Sequence, residues 1–174
     1  MLPLTLNRKT VLEYAAKYPA GYDQPIAELV AEVQKRGHLT KLEFEIVGEW
    51  KSPRARPKLR SNSAEHIEEA SRIALSTPVE ELGIGVLLTL NGVSYPMASV
   101  ILHWFHSDPY PILDFRALES LGIPIPNQYT SEFWMHYVTR WRKALTESDV
   151  DKRTLDRALW QWSKDRSDSR VQRT

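Results

Sequence analysis

Gly92, Ser94 and Asp114 are the residues of this chain whose types and spacing could do chemistry. The segment Leu90-Asn91-Gly92-Val93-Ser94-Tyr95-Pro96-Met97-Ala98-Ser99 predicts a helix ending at Leu90 and a turn on Gly92 and Ser94. A second helix then restarts through Ala98, Ile101 and Leu102. A hairpin of this kind exposes backbone N–H groups that have no intrahelical partner and carry the positive end of the second helix's dipole. An anion binds there without a charged side chain. Gly92 lets the backbone turn and approach such an anion closely. Pro96 falls in the first turn, where its missing N–H costs little. An ordinary helix–turn–helix corner with glycine at the C-cap fits the same residues. Twenty-two positions after Gly92, Asp114 closes a short apolar run and precedes Phe115-Arg116-Ala117-Leu118. A helix N-terminus there would hold its carboxylate ionised. Asp114 could equally be a plain N-cap, and position alone does not separate the two roles.

A second feature is basic. Lys51, Arg54, Arg56, Lys58 and Arg60 fall within ten residues that hold no acid and two prolines, Pro53 and Pro57. Net charge is only +1, but local clustering matters more for a phosphate backbone than the total does. A solvated loop is the other reading. His103 and His106 stand three apart with Asp108 near, which reads as chance pairing at a helix end, and no metal or cofactor is expected. No phosphate-loop, dinucleotide or nucleophile-elbow motif is present.

The elements that must position these residues read as helices. Thr10 is placed as the cap of a helix holding Val11, Leu12 and Ala15. Asp23, Pro25, Ile26, Leu29, Val30, Val33 and Gly37 give a second helix with start and stop signals. Thr40 and Glu43 form a capping box for a third. Leu42, Phe44 and Ile46 also alternate as a strand would, but no partner strand is evident nearby. The stretch 51–62 cannot be a regular helix throughout. Ser63 starts a helix with Ile67, Ala70, Ile73 and Ala74 on one face. Thr77-Pro78-Val79-Glu80 reads as a further capping box, opening the helix to Leu90. A short helix follows Asp114 and stops near Gly122. Two long helices close the chain, one burying Phe133, Trp134, Tyr137, Val138, Trp141 and Leu145, the other Leu155, Leu159 and Trp162.

The expected fold is therefore all-α, a single domain of about eight helices over 1–164, with a frayed or disordered tail at 165–174. The 174 residues are 42% apolar and 26% charged, which excludes a disordered chain. No run approaches the roughly 20 apolar residues of a membrane span, and no secretory leader is seen at the N-terminus. The chain has no cysteine, which rules out disulfides, thiolate zinc sites and iron–sulfur clusters. A cytoplasmic monomer is expected.

The stretch from about Ser63 to Gly122, a third of the chain, resembles the core of the helix-hairpin-helix DNA glycosylase superfamily, above all its endonuclease-III-like members. Ala64-Glu65-His66-Ile67 through Ala74-Leu75 resembles the helix preceding the hairpin there. Leu90-Asn91-Gly92-Val93-Ser94 stands where that family has Leu-Pro-Gly-Val-Gly, and Asp114 stands at the separation of its catalytic aspartate. The whole chain also looks like a widespread bacterial group sharing Trp50-Lys51-Ser52-Pro53-Arg54, Tyr110-Pro111-Ile112-Leu113-Asp114-Phe115-Arg116 and Arg153-Thr154-Leu155-Asp156-Arg157-Ala158-Leu159-Trp160. The chain departs from the superfamily at Ser94, which replaces the second hairpin glycine, and at Pro96, which replaces the nucleophilic lysine of bifunctional members. Phe115-Arg116 replaces the usual threonine–histidine pair.

The resemblance implies a monofunctional DNA glycosylase acting on a modified or damaged base, with double-stranded DNA as partner. In that reading Asp114 faces an oxocarbenium-like transition state. The turn at Gly92, Ser94 and Tyr95 holds a phosphate, and Lys51, Arg54, Arg56 and Lys58 hold its neighbours. A flipped base needs an aromatic or apolar pocket, for which Trp50 and Tyr110 are the candidates. Trp134, Trp141 and Trp162 fit core positions better. A non-enzymatic nucleic-acid-binding module that kept the hairpin is the alternative.

Overall fold

The computed structural model describes residues 3–171, and no strand occurs among them. The described residues form eleven α-helices and one 3-10 turn rather than about eight helices. The extra elements come from breaks inside two expected segments. The segment opened by Asp23 splits into α2 (Gln24–Ala27) and α3 (Val30–Arg36), the latter ended by Gly37 at φ +79°. The basic stretch folds into a 3-10 turn at Pro53–Ala55 followed by α5 (Arg56–Arg60), as two prolines so close together require. No helix among the described residues is long and apolar enough to cross a membrane.

The chain divides into two compact units. The first joins the two ends of the chain, 1–19 with 111–174; the second is the segment 20–110. In the first unit, α1 (Arg8–Ala15) and α9 (Phe115–Ser120) pack on α11 (Lys152–Val171), and α10 (Ser131–Ser148) packs against α1 and α11. Trp134, Tyr137, Val138 and Trp141 are buried at helical spacing on α10, with Ala144 and Ser148 extending the stripe. Phe133 and Leu145, expected in that core, are only half-buried at its edges. Leu155, Leu159 and Trp162 of α11 are buried as expected. The segment 165–171, expected as a frayed tail, is the last part of α11. Ser163 is fully buried and Gln161 nearly so, which ties that end of the helix to the packed core. Residues 172–174 lie outside the described residues.

The second unit holds α4 (Lys41–Lys51), α6 (Ala64–Ser76), α7 (Glu80–Leu87) and α8 (Tyr95–Phe105) as well as α2, α3 and α5. Its local starts follow side-chain chemistry. Thr40 Oγ1 accepts from Glu43 N–H while the Glu43 carboxylate accepts from Thr40 N–H at 2.7 Å, a complete capping box on α4. Ser63 caps α6 through His66 N–H at 3.1 Å. Two expected caps are displaced. α1 is capped by Asn7, whose Oδ1 accepts from Thr10 N–H at 2.9 Å, so Thr10 is the capped residue rather than the cap. Thr77 ends α6, its N–H bonded to Ile73 O at 2.9 Å, and its Oγ1 takes the N–H of Val79 at 3.2 Å; α7 therefore starts only at Glu80.

Candidate nucleic-acid interface and catalytic carboxylate

The hairpin forms as its residue types require. α7 ends at Leu87, the chain turns through Leu90-Asn91-Gly92-Val93, and α8 restarts at Tyr95. Val93 N–H donates to Leu90 O at 3.1 Å, and Gly92 sits at φ +82°. That conformation is costly for any residue with a Cβ. Ser94 is the exposed N-cap of α8 in extended conformation, but its hydroxyl makes no capping bond. Ser94 thus leaves the orphan N–H groups of the first turn uncovered by its own side chain. Tyr95 is half-buried, and burial together with the Glu81 charge raises its hydroxyl pKa, keeping it protonated.

The basic stretch packs on this hairpin, which sequence spacing does not show. A Cβ placed on Gly92 would lie 2.9 Å from Lys58 Cβ and 3.3 Å from Leu59 N, so only glycine lets α5 approach the turn so closely. Leu59 is buried and anchors α5 against α4 at Gly48, where a side chain would collide with it. Asn62 then locks the two segments. It is 3% exposed; its Nδ2 donates to Asn91 O and to Leu59 O, both at 2.9 Å, and its Oδ1 accepts from Asn91 N–H at 2.8 Å. Nothing in the sequence distinguishes Asn62 from a loop residue before the Ser63 cap. Its role exists only because two segments twenty-nine positions apart meet.

The result is one surface carrying a hairpin turn and exposed cations. Arg54, Arg56 and Lys58 are exposed, and Lys51, at the end of α4, is half-buried. Arg56 pairs with Glu49 at 3.5 Å and Arg60 with Glu45 at 3.3 Å, both exposed enough for a polyanion to displace the carboxylate. Replacing Arg54 and Arg56 by alanine should weaken duplex binding with little sequence dependence. It should also lower the slope of log affinity against log salt by about two, since each lost phosphate contact removes roughly 0.9. Titrations at several salt concentrations check this; affinity indifferent to salt and to both substitutions would remove the basic surface from binding.

The two expected base platforms fare differently. Trp50 is half-exposed; its Nε1 donates to Tyr22 O at 2.9 Å and its ring leans on Tyr22, centroids 5.5 Å apart. Tyr110 is 3% exposed and meets His106 edge-on at 4.9 Å. Its ring is a core element, whereas Trp50 keeps part of its surface open. Tyr110 heads the run Tyr110–Leu113, each member of which is buried. The histidines nearby are engaged locally: His103 Nδ1 donates to Tyr110 O at 2.7 Å, and His106 Nδ1 accepts from Asp108 N–H at 2.9 Å.

Asp114 belongs to the other unit, as the N-cap of α9. Its Oδ1 accepts from Arg116 N–H at 2.9 Å, and the residue is half-exposed. Two phenols sense its charge. Burial raises the Tyr129 hydroxyl above the ordinary phenol value, and the Asp114 carboxylate adds to the shift. The fully buried Tyr137 hydroxyl is pushed well up by burial, with Asp156 and Asp114 adding to it, and it donates to Ile112 O at 2.9 Å. Phe115, beside Asp114, is 49% exposed and has the Arg116 guanidinium 5.0 Å from its ring centre. Exposed phenylalanine next to a half-exposed carboxylate and a neutral phenol is an environment in which an apolar ring and a charge-stabilising group coexist. Neither Tyr129 nor the exposure of Phe115 was signalled by helical periodicity.

Comparison with known proteins finds no matching family model, no matching curated protein and no matching solved structure. The all-α class rests on the helices of the described residues themselves.

Proposed function

We propose that this protein is a DNA glycosylase-like hydrolase that removes a modified or damaged base, with Asp114 as the catalytic carboxylate. The observation that carries the reading is the joining of the Gly92 hairpin and the basic stretch into one surface by Asn62. Orphan N–H groups and several cations on one face are what a phosphodiester backbone needs. Asp114 supplies the chemistry. The bond between sugar C1′ and the base nitrogen breaks, and the base leaves with the electron pair and takes up a proton. A water oxygen adds to C1′ and loses its proton. Positive charge grows on the sugar in between, where a fixed carboxylate stabilises it.

Pro96 stands where a lysine nucleophile would be, so no Schiff base forms from that position. Excision should leave an abasic site in an intact strand, which alkali then cleaves, and borohydride should trap no protein–DNA adduct. Denaturing gels with and without alkali check this. A trapped adduct would show that another amine, such as Lys51 or Lys58, attacks the sugar.

One observation favours the alternative of a non-enzymatic binding module. The Asp114 carboxylate already has a local purpose, the cap on α9. Capping and catalysis make opposite predictions for the isosteric amide, which decides between them.

A further inference from the structure

We propose that the face of α11 bearing Arg157, Trp160 and Lys164, together with Arg116 of α9, is a second surface for nucleic-acid phosphates. It rests on the nucleic-acid reading above but uses residues which that reading leaves idle.

Charge is the first support. The net +1 of the chain hides an uneven division. The unit that carries Asp114 has fourteen lysines and arginines against ten acids, whereas the hairpin unit has nine against twelve. The stretch 51–60 is thus a local basic run in an acidic unit, and the general attraction for a polyanion comes from the unit built around α11.

Geometry is the second. Arg157, Trp160 and Lys164 recur at three and four residues on one helix, so they share a face, and all three are half-exposed. Lys164 Nζ lies 5.1 Å from the Trp160 ring centre and Arg116 Cζ 5.6 Å from it. Trp160 meets Tyr18 edge-on at 5.4 Å, and Arg157 Cζ lies 5.7 Å from the Tyr18 ring. A guanidinium beside a ring keeps its charge. Arg116 donates to Ser167 Oγ at 3.2 Å and Ser163 Oγ at 3.5 Å, neutral acceptors that an anionic phosphate outcompetes. Stacking also restrains these long side chains before a ligand arrives, so less freedom is lost on binding. Cations interleaved with aromatic faces are the recurring chemistry of strand-binding grooves. Arg153 has another task. It pairs with Asp156 and bonds Tyr18 Oη at 3.0 Å in a largely buried cluster, which fixes the ring against which Arg157 rests.

Position is the third. Arg116 follows Asp114 by two residues, and their backbone and side chain are hydrogen-bonded. The Arg116 guanidinium reaches Ser163 and Ser167 of α11, so the α11 face and the Asp114 carboxylate meet at the same end of α9.

The test uses the full chain and a labelled DNA duplex. Arg157→Glu with Lys164→Glu should weaken binding at least tenfold and lower the salt slope by about two. Arg157→Gln with Lys164→Gln removes the charges with less disturbance and should show a smaller loss in the same direction. Thermal melts confirm that each variant is folded. Unchanged affinity and salt slope in the folded glutamine variant would overturn the proposal. If Arg54→Ala with Arg56→Ala still weakens binding in that case, the nucleic-acid reading survives without the α11 surface. If neither pair matters, both fail. Displacement of the duplex by polyglutamate as readily as by unlabelled duplex would reassign the face to an acidic protein partner and also overturn the proposal.

Discussion

Asn in place of Asp114 should slow base excision by about a hundredfold or more while leaving folding and duplex binding close to those of the parent. The substitution preserves shape. The amide oxygen can still accept from Arg116 N–H, the 2.9 Å bond that caps α9, and asparagine ranks with aspartate as an N-cap. What is lost is the negative charge that would face a sugar carrying developing positive charge. The capping role of Asp114 and its proposed catalytic role are thereby separated. A thermal melt reports the cap, and single-turnover excision on a panel of modified-base duplexes reports the charge. Equal excision by both proteins would take Asp114 out of the mechanism. A parent that excises nothing across a broad panel would make the chain a binding module whose aspartate only starts a helix.

Asn62→Ala should destabilise the fold although it removes neither a charge nor an apolar side chain. The substitution deletes three hydrogen bonds of 2.8–2.9 Å, one accepted from Asn91 N–H and two donated to the Asn91 and Leu59 carbonyls. The side chain is almost fully buried, so solvent does not simply replace it. Buried partners left unsatisfied cost about 1–3 kcal/mol each when water cannot reach them, and a net loss of roughly 2–3 kcal/mol is expected here because Asn91 itself is exposed. For a chain of this size that corresponds to a fall in melting temperature of about 4–12 °C. Duplex affinity should fall as well, although no charge is removed, because Lys58 and the hairpin turn are no longer held against each other. A melt and an affinity both equal to the parent's would show that the clamp between α5 and the hairpin is idle. Loss of stability with unchanged affinity would make Asn62 structural and leave the hairpin and basic stretch to bind separately.

Much of the helical framework was legible in the sequence because its signals are local. Thr40 with Glu43, Ser63, and Gly37 after Arg36 act within one turn of themselves, and each does what its type requires. The preference for helix over strand at Leu42, Phe44 and Ile46 holds, since α4 spans all three. The misplaced starts were also local contests, decided by a competitor in the same few residues. Asn7 stands three residues before Thr10 and takes its N–H. Thr77 closes α6 with its N–H and spends its hydroxyl on Val79 N–H, so α7 starts at Glu80 instead.

The candidate site divides along the same line. The turn at Gly92 and the capping position of Asp114 are properties of short segments, so residue types and spacing determined them. The pairing of α5 with the hairpin, the burial of Tyr110 and the exposure of Phe115 depend on residues far away in the chain. The division of charge between the two units belongs with them, because it requires knowing that the first nineteen residues join the last sixty-four. Helix periodicity states that an aromatic has an apolar side; it does not state which neighbours cover the other. Only tertiary structure decided that, because burial and long-range hydrogen bonding depend on which distant segments meet, whereas capping and turning are settled within a few bonds of the residue concerned.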